Sequence, residues 1–377
     1  MKMEKLRIIS APLFVLLTCV FVAALFSVGS LRANADENRE CRTRIVGYLP
    51  DWSYSEYKNI DFSALTHINI AFCNVKGGAL SCGIPYVEMK AVVDKARANG
   101  VKILAALGGG GYGEAYRELI SDSDKINSLN EKIVSFCEKY NLDGVDLDIE
   151  LGSNDAIWKN YGAWVSSLRE ICDARGWELS TATAQWVAGN VNAETFALFD
   201  FVSVMAYDDD SRGVKSHSSY EFAVECLDYF HGVKKIPKDK LVLGVPLYGR
   251  GYDENGSLDW NSYLSFSKII EKDTSNFNSD EYMGVAYTGA NSMREKCGLA
   301  KEYGGVMIWE ITLDAEGEYS LLSLIRREMF PPLIVPDTSA EKEVNIALIV
   351  SAAALCFVSA VTVTVFTALF LKKGARN

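Results

Sequence analysis

The stretch Asp143-Gly144-Val145-Asp146-Leu147-Asp148-Ile149-Glu150 decides which fold the sequence predicts for this chain. Apolar and acidic residues alternate through it, which is the period-two pattern of a β-strand. Asp146, Asp148 and Glu150 therefore share one face, with successive acids about 6–7 Å apart along the strand. The opposite face is aliphatic. A strand with one aliphatic and one triply acidic face is expected to line a site with its acidic side.

Three carboxylates this close raise one another's pKa and share protons, because their negative charges repel. We therefore expect one of them to remain protonated near neutral pH, as a general acid requires. A solvated edge strand and a cation site are the alternatives. The flanking sequence, described below, favours a buried barrel strand over both.

The composition excludes several classes of function. A hydrophobic content of 49% over 377 residues supports a sizeable core in one large domain or two ordinary ones. The net charge of -11, with no basic run between aromatic residues, argues against nucleic acid partners. His67, His217 and His231 are far apart and lack metal-ligand spacing. We predict that each is structural, and no metal or cofactor is expected.

The nine cysteines do not predict a disulfide framework. Cys19 and Cys356 lie in the terminal apolar segments, and nine minus two leaves seven, an odd number, in the body of the chain. Cys73 and Cys82 flank a Gly-Gly loop and could form a bridge. Four others lie in helix-like stretches, where free cysteine packs as a small apolar residue. They are Cys137, Cys172, Cys226 and Cys297.

Residues 1–35 have the pattern of a secretory signal peptide. Basic residues precede an apolar run from Ile8 to Val28, and Ala33-Asn34-Ala35 offers a small-residue cleavage site. Because the apolar run is long for a signal peptide, an uncleaved membrane anchor is the alternative.

From residue 41 to residue 330, strand-like apolar runs alternate with helix-like stretches, and we predict one catalytic domain over this range. The predicted strands are Arg44–Leu49, Leu65–Phe72, Val101–Leu107, Asp143–Ile149, Glu178–Ala184, Phe201–Tyr207, Leu241–Leu247 and Gly305–Trp309. The predicted helices are Pro85–Asn99, Lys125–Tyr140, Ile157–Arg175, Tyr220–Val233 and Ser292–Tyr303. Strands and helices in this alternation predict an α/β fold, a (β/α)8 TIM barrel. A doubly wound sheet is the alternative, but no GxGxxG follows the first strand.

The C-terminal ends of the strands, where a barrel carries its active site, are rich in aromatic, acidic and amide side chains. This combination suits a sugar, because rings stack on its faces while polar groups bind its hydroxyls and amides. The residues there are Tyr48, Asp51, Trp52, Glu150, Gln185, Trp186, Met205, Tyr207, Asp208, Tyr248 and Trp309. The run Gly108–Gly111 lacks the Lys-Ser/Thr of a phosphate-binding loop, so we predict close backbone packing at the barrel mouth.

The C-terminal part of the chain predicts a membrane anchor. Residues 331–343 resemble a linker, and the uncharged apolar run Val344–Leu371 is long enough to span a bilayer. The basic tail, residues 372–377, places the C-terminus in the cytoplasm and the barrel outside, as a single-pass type I cell-surface protein. A buried core helix is one alternative. Val335–Ser339 also resembles a sortase wall-sorting signal, except at its first and last positions, so wall attachment or secretion is another.

The body of the chain resembles the chitinases of glycoside hydrolase family 18. Asp143-x-x-Asp146-x-Asp148-x-Glu150 matches the family's DxxDxDxE signature at all four acids. Met205-x-Tyr207-Asp208 matches its motif on strand six, and Gly305–Trp309 resembles its ending of strand eight. The resemblance extends from about Arg44 to Glu328.

This resemblance implies a retaining, substrate-assisted mechanism on β-1,4-linked N-acetylglucosamine. Glu150 would protonate the glycosidic oxygen and later activate water. The substrate's N-acetyl carbonyl would attack the anomeric carbon, so that no protein nucleophile is needed. Asp148 would orient the acetamide and stabilise the oxazolinium ion, and Asp146 would share a proton with Asp148. A 2-acetamido group on the substrate would be required.

The resemblance and the strand-end positions also imply substrate contacts. Tyr207 would donate a hydrogen bond to the acetamido carbonyl, and Trp309 would form the floor beneath the sugar. Asp208 and Tyr48 would support the sugar at the cleavage site. The remaining candidates for substrate binding are Asp143, Gln185 and Met205.

The chain departs from the family pattern in three places. Ala106-Leu107-Gly108-Gly109 stands where the family often has Ser-x-Gly-Gly, and loss of the hydroxyl is expected to weaken the support of Asp146, lowering the rate or shifting the pH optimum. Ile149 and Leu151-Gly152 replace the common Trp and Tyr-Pro. The stretch from Gly251 to Ala300 is short for the family's extra α+β insertion, so we expect an open groove that favours endo-cleavage or bulky substrates.

Three functions remain open from the sequence. The first is hydrolysis of chitin or its oligomers, and the second is cleavage of the chitobiose core of N-glycans. The surroundings of Trp186, Tyr248 and Trp260 would decide between them. The third is a lectin that binds without cutting, for which Ala106 is the sole support because the acids are intact. We expect a monomer whose partner is a glycan containing N-acetylglucosamine.

Overall fold

The structure is a computed structural model that describes residues 43–152, 157–211 and 216–331. The predicted signal peptide, membrane span and cytoplasmic tail lie outside these residues, as does the predicted linker after Pro331. Among the residues described, no helix combines the length and the apolar character that crossing a membrane requires.

Eight parallel strands close into a barrel. They are β1 (Arg44–Pro50), β2 (His67–Ala71), β3 (Lys102–Gly108), β4 (Gly144–Asp148), β5 (Glu178–Thr183), β6 (Phe201–Val204), β7 (Leu241–Pro246) and β8 (Gly305–Trp309). Each strand pairs with the next in the sequence, and β8 pairs with β1. The predicted (β/α)8 barrel is therefore confirmed, and the closed sheet rules out the doubly wound alternative.

Helices connect the strands and cover the outside of the barrel. The α-helices are Tyr86–Ala98, Gly113–Leu119, Ser123–Tyr140, Trp158–Arg175, Gln185–Ala188, Ala193–Ala197, Tyr220–Asp228, Phe266–Lys272, Ala290–Ala300 and Leu321–Met329. Short 3-10 helices are Tyr54–Lys58, Phe62–Ala64, Lys238–Lys240, Thr274–Asn278, Ile311–Leu313 and Gly317–Tyr319, and a π-helical turn covers Tyr229–Val233. The five predicted helices are all present, with the last α-helical turn before Val233 replaced by the π turn.

The helix that leads into β4 has defined ends. The carboxylate of Asp122 accepts a hydrogen bond from the backbone N–H of Lys125 and caps the N-terminus. Asn141 ends the helix in the left-handed conformation, with φ 55°. The chain then turns directly into β4, which fixes where the acidic strand enters the barrel wall.

The two faces of β4 lie in different environments. Val145, Leu147 and Ile149 belong to the larger apolar core, between the barrel and its helices. Asp146 points the other way, and its register neighbour Ala106 belongs to a smaller cluster inside the barrel. Because side chains alternate between the faces of a strand, the aliphatic residues anchor the strand while the acids point inward.

The glycine run after β3 packs closely against the end of β4, as predicted. Gly108 has φ 103°, and a Cβ atom there would lie 2.0 Å from the backbone oxygen of Asp148. At Gly109, a Cβ would lie 2.4 Å from the ring of Phe72. Gly111 is also left-handed, with φ 83°, but no atom lies within 4 Å of its Cβ position. Glycine at 108 is therefore required by space as well as by backbone conformation.

The prediction that the chain is too short for an α+β insertion was wrong. Between β7 and β8, four antiparallel strands form a sheet in the spatial order Leu258–Ser265, Tyr248–Tyr252, Val285–Ala286, Glu281–Tyr282. The helix Phe266–Lys272 packs beside it. Two of the strands contain only two residues each, so the insertion is small enough to fit the short sequence. Length alone did not reveal it.

The cysteines described by the structure are free thiols. Cys137, Cys172, Cys226 and Cys297 are buried in helices, as predicted. Cys73 and Cys82, which the sequence allows to form a disulfide bridge, are not joined by one. They flank a two-stranded hairpin in which Asn74 pairs with Ser81, so they lie at its open end.

Replacing Gly108 with alanine should lower the free energy of unfolding by about 2–3 kcal/mol more than Gly111→Ala does, because only the first variant forces backbone atoms apart. Both variants share the strain of a left-handed alanine, about 1–2 kcal/mol. Denaturant unfolding followed by circular dichroism measures the difference. Equal losses in the two variants would show that contact with Asp148 does not restrict position 108.

Candidate active site

Asp146 lies at the centre of a buried polar group inside the barrel. Its side chain is 0% exposed. Burial raises its pKa to about 6, and this rise is opposed by hydrogen bonds from Ser180 and Tyr48. The Tyr48 hydroxyl donates to Oδ2 over 2.7 Å, and the Ser180 hydroxyl donates to Oδ1 over 2.5 Å. Two hydroxyls therefore hold the carboxylate in one orientation.

Ser180 supplies the hydroxyl that Ala106 lacks. Asp146 lies between the two in the sheet, paired with Ala106 on β3 and with Ser180 on β5. The expectation that Ala106 would leave Asp146 poorly supported therefore needs correction, because the opposite neighbour provides a donor. The alternation along β5 could have indicated that Ser180 faces the inside of the barrel. The register between the strands was needed to place it beside Asp146.

Asp148 is the second buried acid and lies two residues after Asp146, nearer the mouth of the barrel. Burial, followed by the charges of Glu150 and Asp146, raises its pKa well above the usual value. Its Oδ1 atom is buried, and no hydrogen-bond partner for it occurs in the described part of the chain. A buried oxygen without a partner costs free energy, so this atom is suited to bind a polar group of a ligand.

Glu150 follows the end of β4 and is half-buried at the edge of a cleft. Burial, and then the negative charge of Asp208, raises the pKa of its carboxyl. This direction favours the protonated form, which a general acid needs. Of the three acids, only Asp148 is shifted by the charges of the other two, and burial is the largest cause for each of them.

Aromatic side chains form the floor beside the acids. Trp309, at the end of β8, packs edge-on against Tyr48 with ring centroids 5.5 Å apart. Phe72 stacks on Trp309 with centroids 5.8 Å apart, and Trp52 meets it edge-on at 6.3 Å. Trp52 is 65% exposed. The indole of Trp309 is therefore fixed from three sides, and the cluster continues to the surface.

The cleft beside Glu150 has a volume of about 830 Å³. It is lined by Glu150, Ala184, Gln185, Trp186, Met205, Tyr207, Asp208, Asp209, Asp210, Ser211, Phe222, Tyr229 and Trp260. Trp186 and Trp260 are more than half exposed. Trp260 belongs to the insertion sheet, so this unpredicted element forms one wall of the cleft.

Asp208 lies directly after Tyr207 in a left-handed backbone conformation, with φ 57°. Its Oδ1 atom lies 3.1 Å from Nδ1 of His217 and 3.4 Å from Nε of Arg250. Burial acts to raise the pKa of Asp208, but His217 and Arg250 outweigh burial and hold the pKa below its usual value. The sequence did not single out Arg250, and it predicted only a structural role for His217.

The structure brings most of the predicted site residues together. Glu150, Gln185, Met205, Tyr207 and Asp208 share the cleft, and Asp146, Asp148, Tyr48 and Trp309 lie beside it. Asp143 is separate. It precedes β4 at the opposite end of the barrel, where its carboxylate binds Arg97 and the backbone N–H of Ile103. The geometry therefore does not support a substrate contact from Asp143, because this residue lies at the N-terminal end of β4 and the cleft lies at the C-terminal end.

Comparison with known proteins gives a consistent result. The family model described as glycosyl hydrolases family 18 matches residues 44–314. A family 18 chitinase from the chitin utilization locus of Flavobacterium johnsoniae is 31% identical, with a TM-score of 0.68 over 76% of this chain and 94% of that one. A chitinase from Bacteroides thetaiotaomicron is 28% identical, also with a TM-score of 0.68, over 76% of this chain and 96% of the other.

A curated relative agrees with these structures. Chitinase A1 of Niallia circulans is 24% identical over 72% of this chain. The match covers 56% of that protein, so the chain spans little more than half of its length.

Ser180→Ala should raise the pKa of Asp146 further above 6, because a donor that stabilises the carboxylate is lost. The carboxyl titration of Asp146, followed by ¹³C NMR, should move to higher pH. Adding Ala106→Ser in the same variant should reverse the shift, since the new hydroxyl faces Asp146 from β3.

Ser203→Ala is the matched control for this titration. The Ser203 hydroxyl is buried and has no hydrogen-bond partner among the described residues, so its loss should leave Asp146 unchanged. A titration of Ser180→Ala that overlays the unaltered protein would show that Ser180 does not support the carboxylate.

Proposed function

This chain belongs to glycosyl hydrolases family 18, and we propose that it hydrolyses β-1,4-linked N-acetylglucosamine in chitin or chito-oligosaccharides. The observation that carries the proposal is the buried Oδ1 atom of Asp148, which has no hydrogen-bond partner among the residues that the structure describes. Asp148 lies between Asp146 and Glu150 in sequence. An acetamido N–H is a donor of the right kind for this oxygen. The similarity to the chitinases of Flavobacterium johnsoniae and Bacteroides thetaiotaomicron supports the same substrate class.

The first step is proton transfer to the leaving group. Glu150, whose protonated form is favoured because burial and then the charge of Asp208 raise its pKa, protonates the glycosidic oxygen. The bond between that oxygen and the anomeric carbon breaks. At the same time, the carbonyl oxygen of the 2-acetamido group bonds to the anomeric carbon, so that a cyclic oxazolinium ion forms without a protein nucleophile.

The second step returns the proton. Water attacks the anomeric carbon, Glu150 accepts a proton from this water, and the ring C–O bond of the oxazolinium ion breaks to restore the acetamide. The anomeric carbon is attacked twice from opposite sides, so the product keeps the β configuration. Throughout both steps, Asp148 accepts a hydrogen bond from the acetamido N–H and balances the positive charge of the oxazolinium ion.

The other site residues position the sugar. Tyr207 has a pKa well above its usual value, because of burial and then the charge of Asp148, so its hydroxyl remains a donor and is suited to the acetamido oxygen. Trp309, supported by Tyr48 and Phe72, offers an apolar face beneath the ring. Trp186 and Trp260 provide exposed rings on the far side of Glu150 for further sugar units.

Glu150→Gln should lower kcat on a fluorogenic chito-oligosaccharide by about 10²–10⁴-fold, because the amide keeps the shape but cannot transfer the proton. The assay uses the full-length chain in mild detergent. Glu225→Gln is the control, since Glu225 lies exposed on the helix Tyr220–Asp228. The unaltered protein should release the β anomer first, which ¹H NMR detects.

A high-mannose glycoprotein is the parallel substrate in this assay. Release of glycan from it, without turnover of chito-oligosaccharide, would assign the chain to cleavage of N-glycan chitobiose cores. Binding of chito-oligosaccharide with no turnover of either substrate would identify a lectin and overturn the proposal.

We also propose that the barrel is held on the outer side of a membrane by the C-terminal apolar run. The support is sequence alone, namely the uncharged stretch Val344–Leu371 and the basic residues after it. The full-length chain expressed in cells should therefore resist carbonate extraction, and externally added protease should digest the barrel of intact cells. A variant that ends at Pro331 should be released. Extraction of the full-length chain by carbonate would contradict the anchor.

A further inference from the structure

A fully buried histidine lies behind the cleft wall. His217 is 0% exposed. Its Nδ1 atom lies 3.1 Å from Oδ1 and 3.3 Å from the backbone nitrogen of Asp208. Its Nε2 atom lies 3.3 Å from the backbone oxygen of Tyr248. The backbone N–H of Asp208 donates to Nδ1, so the ring contacts both the backbone and the carboxylate of Asp208.

The backbone around His217 is tied to the backbone around Asp208. The carbonyl of His217 accepts a hydrogen bond from the backbone N–H of Asp209 over 2.9 Å. The hydroxyl of Ser218 donates to the carbonyl of Ala206 over 2.8 Å. These bonds enclose Tyr207 and Asp208 from both sides, so movement of the histidine would move the site.

A buried lysine fixes this segment from the outer helix. Lys296, on the helix Ala290–Ala300, donates to the hydroxyl of Ser218 over 2.8 Å, to its carbonyl, and to the hydroxyl of Thr288 over 3.1 Å. Its side chain is 1% exposed. A buried amine with oxygen partners on three sides has little freedom, so His217 is held against Asp208 by the framework of the barrel.

Several charged and titratable groups face Asp208. Glu150 lies two residues after the end of β4, His217 lies in the segment before the helix Tyr220–Asp228, and Tyr207 directly precedes Asp208. The insertion sheet contributes Arg250, Tyr248, Tyr252 and Tyr263. The guanidinium of Arg250 lies 5.0–5.2 Å from the rings of Tyr248, Trp260 and Tyr263 and donates to the carbonyl of Trp260. Arg250 is therefore committed largely to the insertion, with a longer contact to Asp208.

We propose that His217 is a positioning residue for the hydrolytic reaction, which holds Asp208 ionised and in its left-handed conformation beside Glu150. This inference rests on the proposed function. His217 does not line the cleft and does not contact Glu150. It acts through Asp208, whose negative charge favours the protonated form of Glu150.

The consequence is a defined pH dependence. Hydrogen bonding and charge from His217 lower the pKa of Asp208 against the effect of burial. Without His217, Asp208 takes up a proton at higher pH, and its neutral form no longer repels negative charge on Glu150. The acid limb of the kcat profile, where Asp208 must be ionised, then moves to higher pH.

The test compares His217→Leu with His217→Asn in the full-length chain. The leucine variant should lower kcat on the fluorogenic chito-oligosaccharide about tenfold or more with little change in KM, and should move the acid limb up by about one pH unit. The asparagine amide can still donate to Asp208, so this variant should keep the acid limb in place and retain much of the activity. His231→Gln, a change at an exposed histidine, is the control.

Two results would overturn the inference. One is an unchanged kcat and acid limb in His217→Leu. The other is an equal loss of kcat in both variants with the acid limb unmoved, which would indicate a structural role only. If the leucine variant does not fold, the asparagine variant and a conservative Ser218→Ala decide, because loosening the segment should also shift the acid limb. Absence of turnover by the unaltered protein would instead disprove the proposed function.

Discussion

The structure depends on placing three carboxylates at the end of one strand in an environment that excludes water. Burial raises the pKa of Asp146, Asp148 and Glu150, which disfavours the charged forms and would destabilise the fold if the acids were unsupported. Hydroxyls of Tyr48 and Ser180 support the innermost acid. The middle acid, Asp148, keeps one oxygen without a hydrogen-bond partner in the described ranges of the chain. A ligand that donates a hydrogen bond to this oxygen would therefore remove an unfavourable contribution to the free energy.

The barrel wall provides the rigidity that such an arrangement needs. The aliphatic face of β4 is buried in the main core, so the strand cannot turn to expose its acids. Gly108 brings the end of β3 into contact with the backbone of Asp148, and Phe72, the residue after β2, stacks on Trp309. These contacts hold the acids and the aromatic floor in fixed relative positions, which is the preorganisation on which the proposed reaction depends.

The insertion between β7 and β8 links the cleft to a second layer of residues. It contributes Trp260 to the cleft wall and Arg250 to Asp208. His217 reaches Asp208 from the opposite side and is itself held by contacts that extend to Lys296. Asp208 is therefore the residue through which the surrounding framework acts on Glu150. The groups around it include Glu150, His217 and Arg250, which come from three segments of the chain, and His217 is nine positions from Asp208 in sequence.

The sequence by itself determined the barrel, its eight strands and most of the cleft residues, because period-two alternation and strand-end positions are local properties of the chain. It also indicated that the charges of Asp146 and Glu150 act on Asp148, since the spacing of the acids follows from strand geometry. Only the tertiary structure decided the rest. Ser180 replaces the hydroxyl missing at Ala106, Asp143 lies at the far end of its strand with Arg97, and a small sheet forms where length argued against one. Each of these depends on register between strands or on contacts between distant segments, which a linear pattern does not encode.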